Sequence, residues 1–196
     1  MARIPPVRFE DATPEIQAEY QKVVAEHGVV TNMKATLLHS PPALRAVLEW
    51  YTLFDRVKPV LGERLALLFC YAISLQNACE LCTTFMRRAL TEGGEDPDHL
   101  ELDEREQAVV EFGRQLAAHP NRVANALYVR LATYFTPAQL VELTVFGALM
   151  IVNNVVNSAL QIDLDESLET YRIQPELLFA GPSPFTTPRA VEAGAA

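Results

Sequence analysis

The sequence predicts an all-α protein, and three observations carry that reading. Apolar side chains recur at helical spacing through most of the 196 residues, while the period-two alternation of half-buried strands is nearly absent. Helix-opening signatures punctuate the chain at Thr13-Pro14, Asn77 to Glu80 and Thr136-Pro137. Breakers follow the apolar segments at His27-Gly28, Ser40-Pro41-Pro42 and Gly93-Gly94. A content of 49% apolar and 21% charged residues is enough to close one core around such helices.

The first helix opens at Asp11-Ala12-Thr13-Pro14-Glu15, with Thr13 as its cap and Pro14 in the first turn, and runs to about Glu26. Thr31 to His39 forms a short helix. Pro42 opens the next, which turns Leu44, Val47, Leu48, Tyr51, Leu53 and Phe54 towards a core. Leu61 to Leu75 is apolar on nearly every side after Glu63 and Arg64, the pattern of a central buried helix. Asn77-Ala78-Cys79-Glu80 reads as a capping box in which Asn77 caps and Glu80 closes back, starting a helix that reaches about Leu90. Asp103 to Ala118, Arg122 to Tyr134 and Pro137 to Leu160 complete the set, the last opened by Thr136-Pro137-Ala138-Gln139. Residues 1–175 are expected to form one helical domain and residues 176–196 a Pro/Ala-rich C-terminal arm that frays into a tail.

Several function classes are disfavoured by composition. The net charge is −9 and no basic patch is visible beyond Arg87-Arg88, so no nucleic-acid partner is expected. Met1 to Arg8 is charged and broken by prolines, unlike a secretory leader. The uncharged run from Leu143 to Ile162 approaches membrane-spanning length, yet it holds Asn153, Asn154, Asn157 and Gln161. Each bare amide would cost several kcal/mol in lipid, so a helix buried inside protein is expected and no membrane partner. Three cysteines, an odd number, fit a reducing compartment and a cytoplasmic protein.

Chemistry concentrates at Cys79-Glu80-Leu81-Cys82. Two thiols three positions apart on a helix share a face, with Cβ atoms about 5–6 Å apart. A small adjustment at a helix start brings them to the roughly 3.5–4.5 Å that a disulfide requires. With Asn77 as cap, Cys79 lies among the free amides of the first turn, where the dipole favours thiolate; the neighbouring Glu80 opposes it. Cys79 is therefore expected to be the more accessible thiol and Cys82 the more sheltered one, which leaves open which of them attacks a substrate. Zinc wants four ligands, and no second C-x-x-C exists; Cys70, within Leu67 to Ala72, reads as core filling. No metal or cofactor is expected. The competing structural account is a pair of inert buried cysteines.

A resemblance rests on motifs that occur in one order. Gly28-Val29-Val30-Thr31-Asn32-Met33 precedes Leu37-Leu38-His39-Ser40-Pro41, the apolar helix and the C-x-x-C helix; Arg105-Glu106-Gln107-Ala108, Glu142-Leu143 and Asn154-Val155-Val156-Asn157 follow. Over roughly residues 20 to 165 the chain resembles the carboxymuconolactone decarboxylase family, which includes the alkylhydroperoxidase AhpD-like proteins. The resemblance implies an all-α, AhpD-like helical bundle that assembles into a homo-oligomer, a trimer or hexamer. It also implies a dithiol that reduces a small-molecule peroxide or electrophile and is recharged by a thiol reductant partner, with Cys82 attacking and Cys79 resolving.

Two positions depart from that family's peroxidase pattern. Met86 stands where a histidine follows the second cysteine by four residues, and Leu67 stands where a glutamate precedes the first cysteine by twelve. The proton relay is absent as a motif, and general-base help is worth about 10²–10⁴-fold. Glu63 and Tyr71, one turn either side of Leu67, are the candidate substitutes for the relay. Arg87 and Arg88 are weighed as electrostatic helpers against a role as solvated surface charges. His27, His39, His99 and His119 fall at helix ends or loops, and Asn154 and Asn157 must find partners on an apolar helix. Two alternatives accompany the redox reading: a lyase acting on a small lactone acid, and a catalytically weakened helical oligomer in which the cysteines only pack.

Overall fold

The computed structural model describes residues 2–180 and 183–186 of the chain. Described residues form nine α-helices: α1 (Pro14–His27), α2 (Asn32–Leu37), α3 (Pro41–Leu61), α4 (Glu63–Gln76), α5 (Glu80–Glu92), α6 (Glu104–Ala118), α7 (Asn125–Ala132), α8 (Pro137–Leu160) and α9 (Pro175–Ala180). Two short strands, β1 (Leu100–Glu101) and β2 (Phe185–Thr186), pair in parallel. This is the all-α architecture that the apolar spacing predicts.

Local chemistry explains most boundaries. The Thr13 hydroxyl accepts from the Ile16 amide at 3.4 Å to open α1, and Thr136 with Gln139 forms a reciprocal capping box at α8. Leu61 closes α3 instead of opening the central helix, because Gly62 turns the chain at φ +84° before α4 begins. Asn125 to Ala132 is all that remains of the expected Arg122–Tyr134 helix.

Helix α4 is the hub, packed by α3, α5, α6 and α8. Phe69 at its middle stacks on Phe112 of α6 and Phe146 of α8, with ring centroids 6.2 and 6.1 Å apart. Gly113 and Gly147 make room for that ring: a Cβ built on either would stand 2.9 or 2.8 Å from it. Helix α8 is long and apolar enough to cross a membrane, but Asn153, Asn154 and Asn157 are buried among neighbouring helices, as in a core helix. Its outer face exposes Val141, Val145, Val152 and Val155.

The C-terminal segment, expected as an arm ordered at first and then frayed, contributes α9 and β2, and the Leu100 and Leu102 amides donate to the Pro184 and Thr186 carbonyls. Residues 187–196, where the tail is expected, lie outside the described residues.

Candidate functional site: a cysteine pair between two cavities

The turn from α4 into α5 builds the site. Asn77 ends α4, its amide donating to Ile73, and Ala78 adopts a left-handed φ of +49°. A non-glycine residue there costs of order 1 kcal/mol, held by the surrounding contacts. Cys79 is then the cap of α5, where Asn77 was expected: its Sγ accepts from the Cys82 amide at 3.5 Å. Glu80 accordingly occupies the first helical position and closes no capping box. The correction has a local cause, since Asn77 is consumed in terminating the preceding helix.

Both cysteines are free thiols and both are buried, Cys79 at 1% and Cys82 at 4% exposure. Cys79 is thus not the more accessible thiol by surface area. The two thiols interact with each other, and this interaction sets their ionisation apart. Interaction with the Cys82 thiol, together with the Cys82 and Leu81 amides and the Ser158 side chain, overcomes burial and draws Cys79 down to about 7. Burial, then the Cys79 sulfur beside it, pushes Cys82 well above the usual thiol range, against the Asn157 amide. Asn157 Nδ2 donates to Cys82 Sγ at 3.1 Å.

Each cysteine lines a different cavity. Cys82 borders an apolar slot of about 70 Å³ with Leu81, Phe85, Met86 and Met150. Lys34, also in its lining, donates to the Val29 carbonyl at 3.3 Å and lies over the Tyr51 ring, and Asp165 lines the same slot. Burial lowers the Lys34 ammonium and raises the Asp165 carboxyl. Cys79 borders a half-open cavity of about 490 Å³ between the end of α8 and the segment leading into α9. Ser158, Gln161 and Ile173 line it, and its ionisable groups besides Cys79 are Glu80, Asp163 and Arg172. Leu81 and Asn157 form the wall common to both.

The candidate relay residues are not brought to the thiols. Glu63 pairs with Lys58 at 2.9 Å at the opposite end of α4, a helix about 20 Å long. Tyr71 is buried, but its hydroxyl donates to the Pro97 carbonyl and accepts from Arg87, each at 3.2 Å. Arg87 is held by Asp98 and Arg88 by Glu92. His39 contacts the Pro5 carbonyl, His99 pairs with Asp96, and His27 lies against Tyr51. Among the described residues no cluster of three or more His, Cys, Asp or Glu could hold a metal ion.

Asn157 was singled out by sequence as a polar residue on an apolar helix, without the thiol as its partner. Ser158, Lys34 and Asp165 were missed. A lysine between Met33 and Ala35 next to an apolar segment was the available signal for one of them.

No protein-family model and no curated protein matches the chain. Solved structures do. An uncharacterised peroxidase-related protein from Ralstonia eutropha JMP134, described as an alkylhydroperoxidase AhpD core, superposes with a TM-score of 0.67 at 16% identity, over 85% of this chain and 94% of that one. This chain has the AhpD-like fold. The AhpD-like bundle is shared by a peroxidase-related protein from Silicibacter sp. TM1040, with a TM-score of 0.66 and 17% identity over 86% of this chain and 96% of its own. It is also shared by a cysteine-to-alanine variant of the debrominase Bmp8 in complex with 2,3,4-tribromopyrrole, with a TM-score of 0.67 and 16% identity over 86% and 94%. At such identities the likeness is one of fold, and it bears out the fold implied by the ordered motifs.

Proposed function

We propose that the protein is a thiol-dependent oxidoreductase that reduces hydroperoxides, with Cys79 and Cys82 cycling between dithiol and disulfide. The observation that carries this reading is the pair of free thiols within one turn at the cap of α5, each cysteine bordering a cavity and Cys79 favoured as thiolate. Thiolate is the nucleophilic form of cysteine, and a second thiol in contact can close the disulfide. The balance is one hydroperoxide and two thiols giving one alcohol, one water and one disulfide. A thiol reductant returns the pair to the dithiol by exchange, a cycle suited to a reducing, cytoplasmic setting.

The test is thiol-specific mass spectrometry before and after one equivalent of cumene hydroperoxide. Loss of both Cys79 and Cys82 as free thiols, joined in one linkage, is expected; survival of both ends the reading. Turnover of a lactone acid that persists in a Cys79→Ser/Cys82→Ser protein would favour the lyase alternative. The fold shared with Bmp8 makes reductive debromination the second reading. The same two electrons would convert a bromoarene and two thiols into the arene, bromide, a proton and the disulfide.

Assembly belongs to the same proposal. The valines exposed along α8 form a stripe of near-heptad spacing, the kind of face a helix buries against a second copy of itself. Sedimentation should show a homo-oligomer that Val152→Asp dissociates; a monomeric wild type would remove assembly from the proposal.

A further inference from the structure

Resting on the dithiol reading, we propose that Cys79 is the attacking thiol, that organic hydroperoxides reach it through the cavity between the end of α8 and the segment leading into α9, and that Cys82 resolves. This reverses the order of the two cysteines that the family resemblance implies. Three observations support it.

The first is the cap. Cys79 Sγ accepts the Cys82 amide at the start of α5, where unpaired amides and the helix dipole favour a negative sulfur. Cys82 sits a turn deeper, against the Asn157 side chain. The second is the missing relay. Met86, buried in the wall of the Cys82 slot, replaces the histidine that would serve the second cysteine, and Glu63 and Tyr71 are occupied elsewhere. The slot's ionisable Lys34 and Asp165 are engaged with the Val29 carbonyl and the Asn32 amide. The side-chain hydrogen bond to Cys82 Sγ comes from Asn157, whereas Cys79 sits at the helix cap, where thiolate is favoured. The third is space. An apolar cavity of about 150 Å³ takes a benzene, and one water needs roughly 10–15 Å³. The slot of about 70 Å³ at Cys82 is therefore smaller than a benzene requires, while the cavity of about 490 Å³ at Cys79 has room for an organic body.

The steps balance without a further base. Cys79 thiolate attacks the terminal oxygen of the hydroperoxide; the S–O bond forms, the O–O bond breaks, and the alkoxide leaves. The Cys82 thiol, less than one helical turn from the reacting sulfur, supplies the proton that makes the alcohol. The resulting Cys82 thiolate, facing the Asn157 Nδ2 donor, attacks the Cys79 sulfenic acid and expels hydroxide, which solvent protonates. Sulfur has then lost two electrons and the peroxide has gained them.

Dimedone, which traps sulfenic acid, tests the order. In the wild type given a tenth of an equivalent of cumene hydroperoxide with dimedone present, the adduct should map to Cys79. With Cys82→Ser the Cys79 adduct should accumulate. With Cys79→Ser, oxidation of Cys82 at pH 7 should be at least about fivefold slower, since its small thiolate fraction outweighs its higher intrinsic nucleophilicity. Circular dichroism of both variants should match the wild type. Adducts on Cys82 in the wild type, or equal rates in the two variants, overturn the assignment and leave the dithiol reading standing. Survival of both thiols in the wild type overturns both.

Discussion

Helices α5 and α6 open with the same hydrogen bond and differ in the atom that accepts it. At α6, Asp103 Oδ1 takes the Glu106 amide at 2.8 Å and Glu106 returns a carboxylate to the Asp103 amide at 3.0 Å. At α5, a sulfur takes the amide at 3.5 Å, the third helical residue is a second cysteine, and the turn before it holds Ala78 in a left-handed conformation. The first arrangement satisfies two donors and is worth about 1 kcal/mol. The second satisfies one donor weakly and accepts backbone strain, and in return a thiol is fixed where negative charge is favoured. A helix start that serves stability in one place serves, on the proposed dithiol reading, reactivity in the other.

Exchanging the two roles is the strongest way to break this contrast. Cys79→Ser keeps a capping oxygen in nearly the same volume, so thermal or denaturant unfolding should give a stability within about 0.5 kcal/mol of wild type. It should nevertheless abolish the peroxide-induced disulfide read by mass spectrometry. Asp103→Ala should do the converse, losing about 1 kcal/mol of stability while leaving disulfide formation intact. Loss of redox chemistry in the Asp103 variant would mean that the two helix starts are not separable.

A finer probe is the pH dependence of Cys79 alkylation by iodoacetamide. Thiolate is the deprotonated form, so the rate should rise with pH through a midpoint near 7. Ser158→Ala removes one contact that favours the thiolate and should move the midpoint upward by about one unit or less. A downward movement, or none, would show that the serine does not act on the sulfur.

Much of the scaffold was legible because its causes are local. Thr13-Pro14 and Thr136-Pro137 carry their own caps, and the apolar run of α4 needs only its composition to predict burial around Phe69. The start of α5 was misread for a reason of the same scale: asparagine is the better cap by preference, but its backbone is spent in ending α4. The departures at Leu67 and Met86 were legible too, and the structure supplies no substitute at Glu63 or Tyr71, whose partners lie elsewhere.

Sequence by itself determined the helical class, the spacing that puts two thiols within one turn, and the polar residues that an apolar α8 had to satisfy. Tertiary structure decided what surrounds each sulfur. Asn157 meets Cys82 across 75 residues of chain, and the segment before α9 returns to wall the Cys79 cavity. Periodicity records which residues share a face within one helix. Desolvation and hydrogen bonding at a thiol are sums over atoms from several helices, so the opposite directions in which the two cysteines' acidities are pushed exist only once those helices are packed.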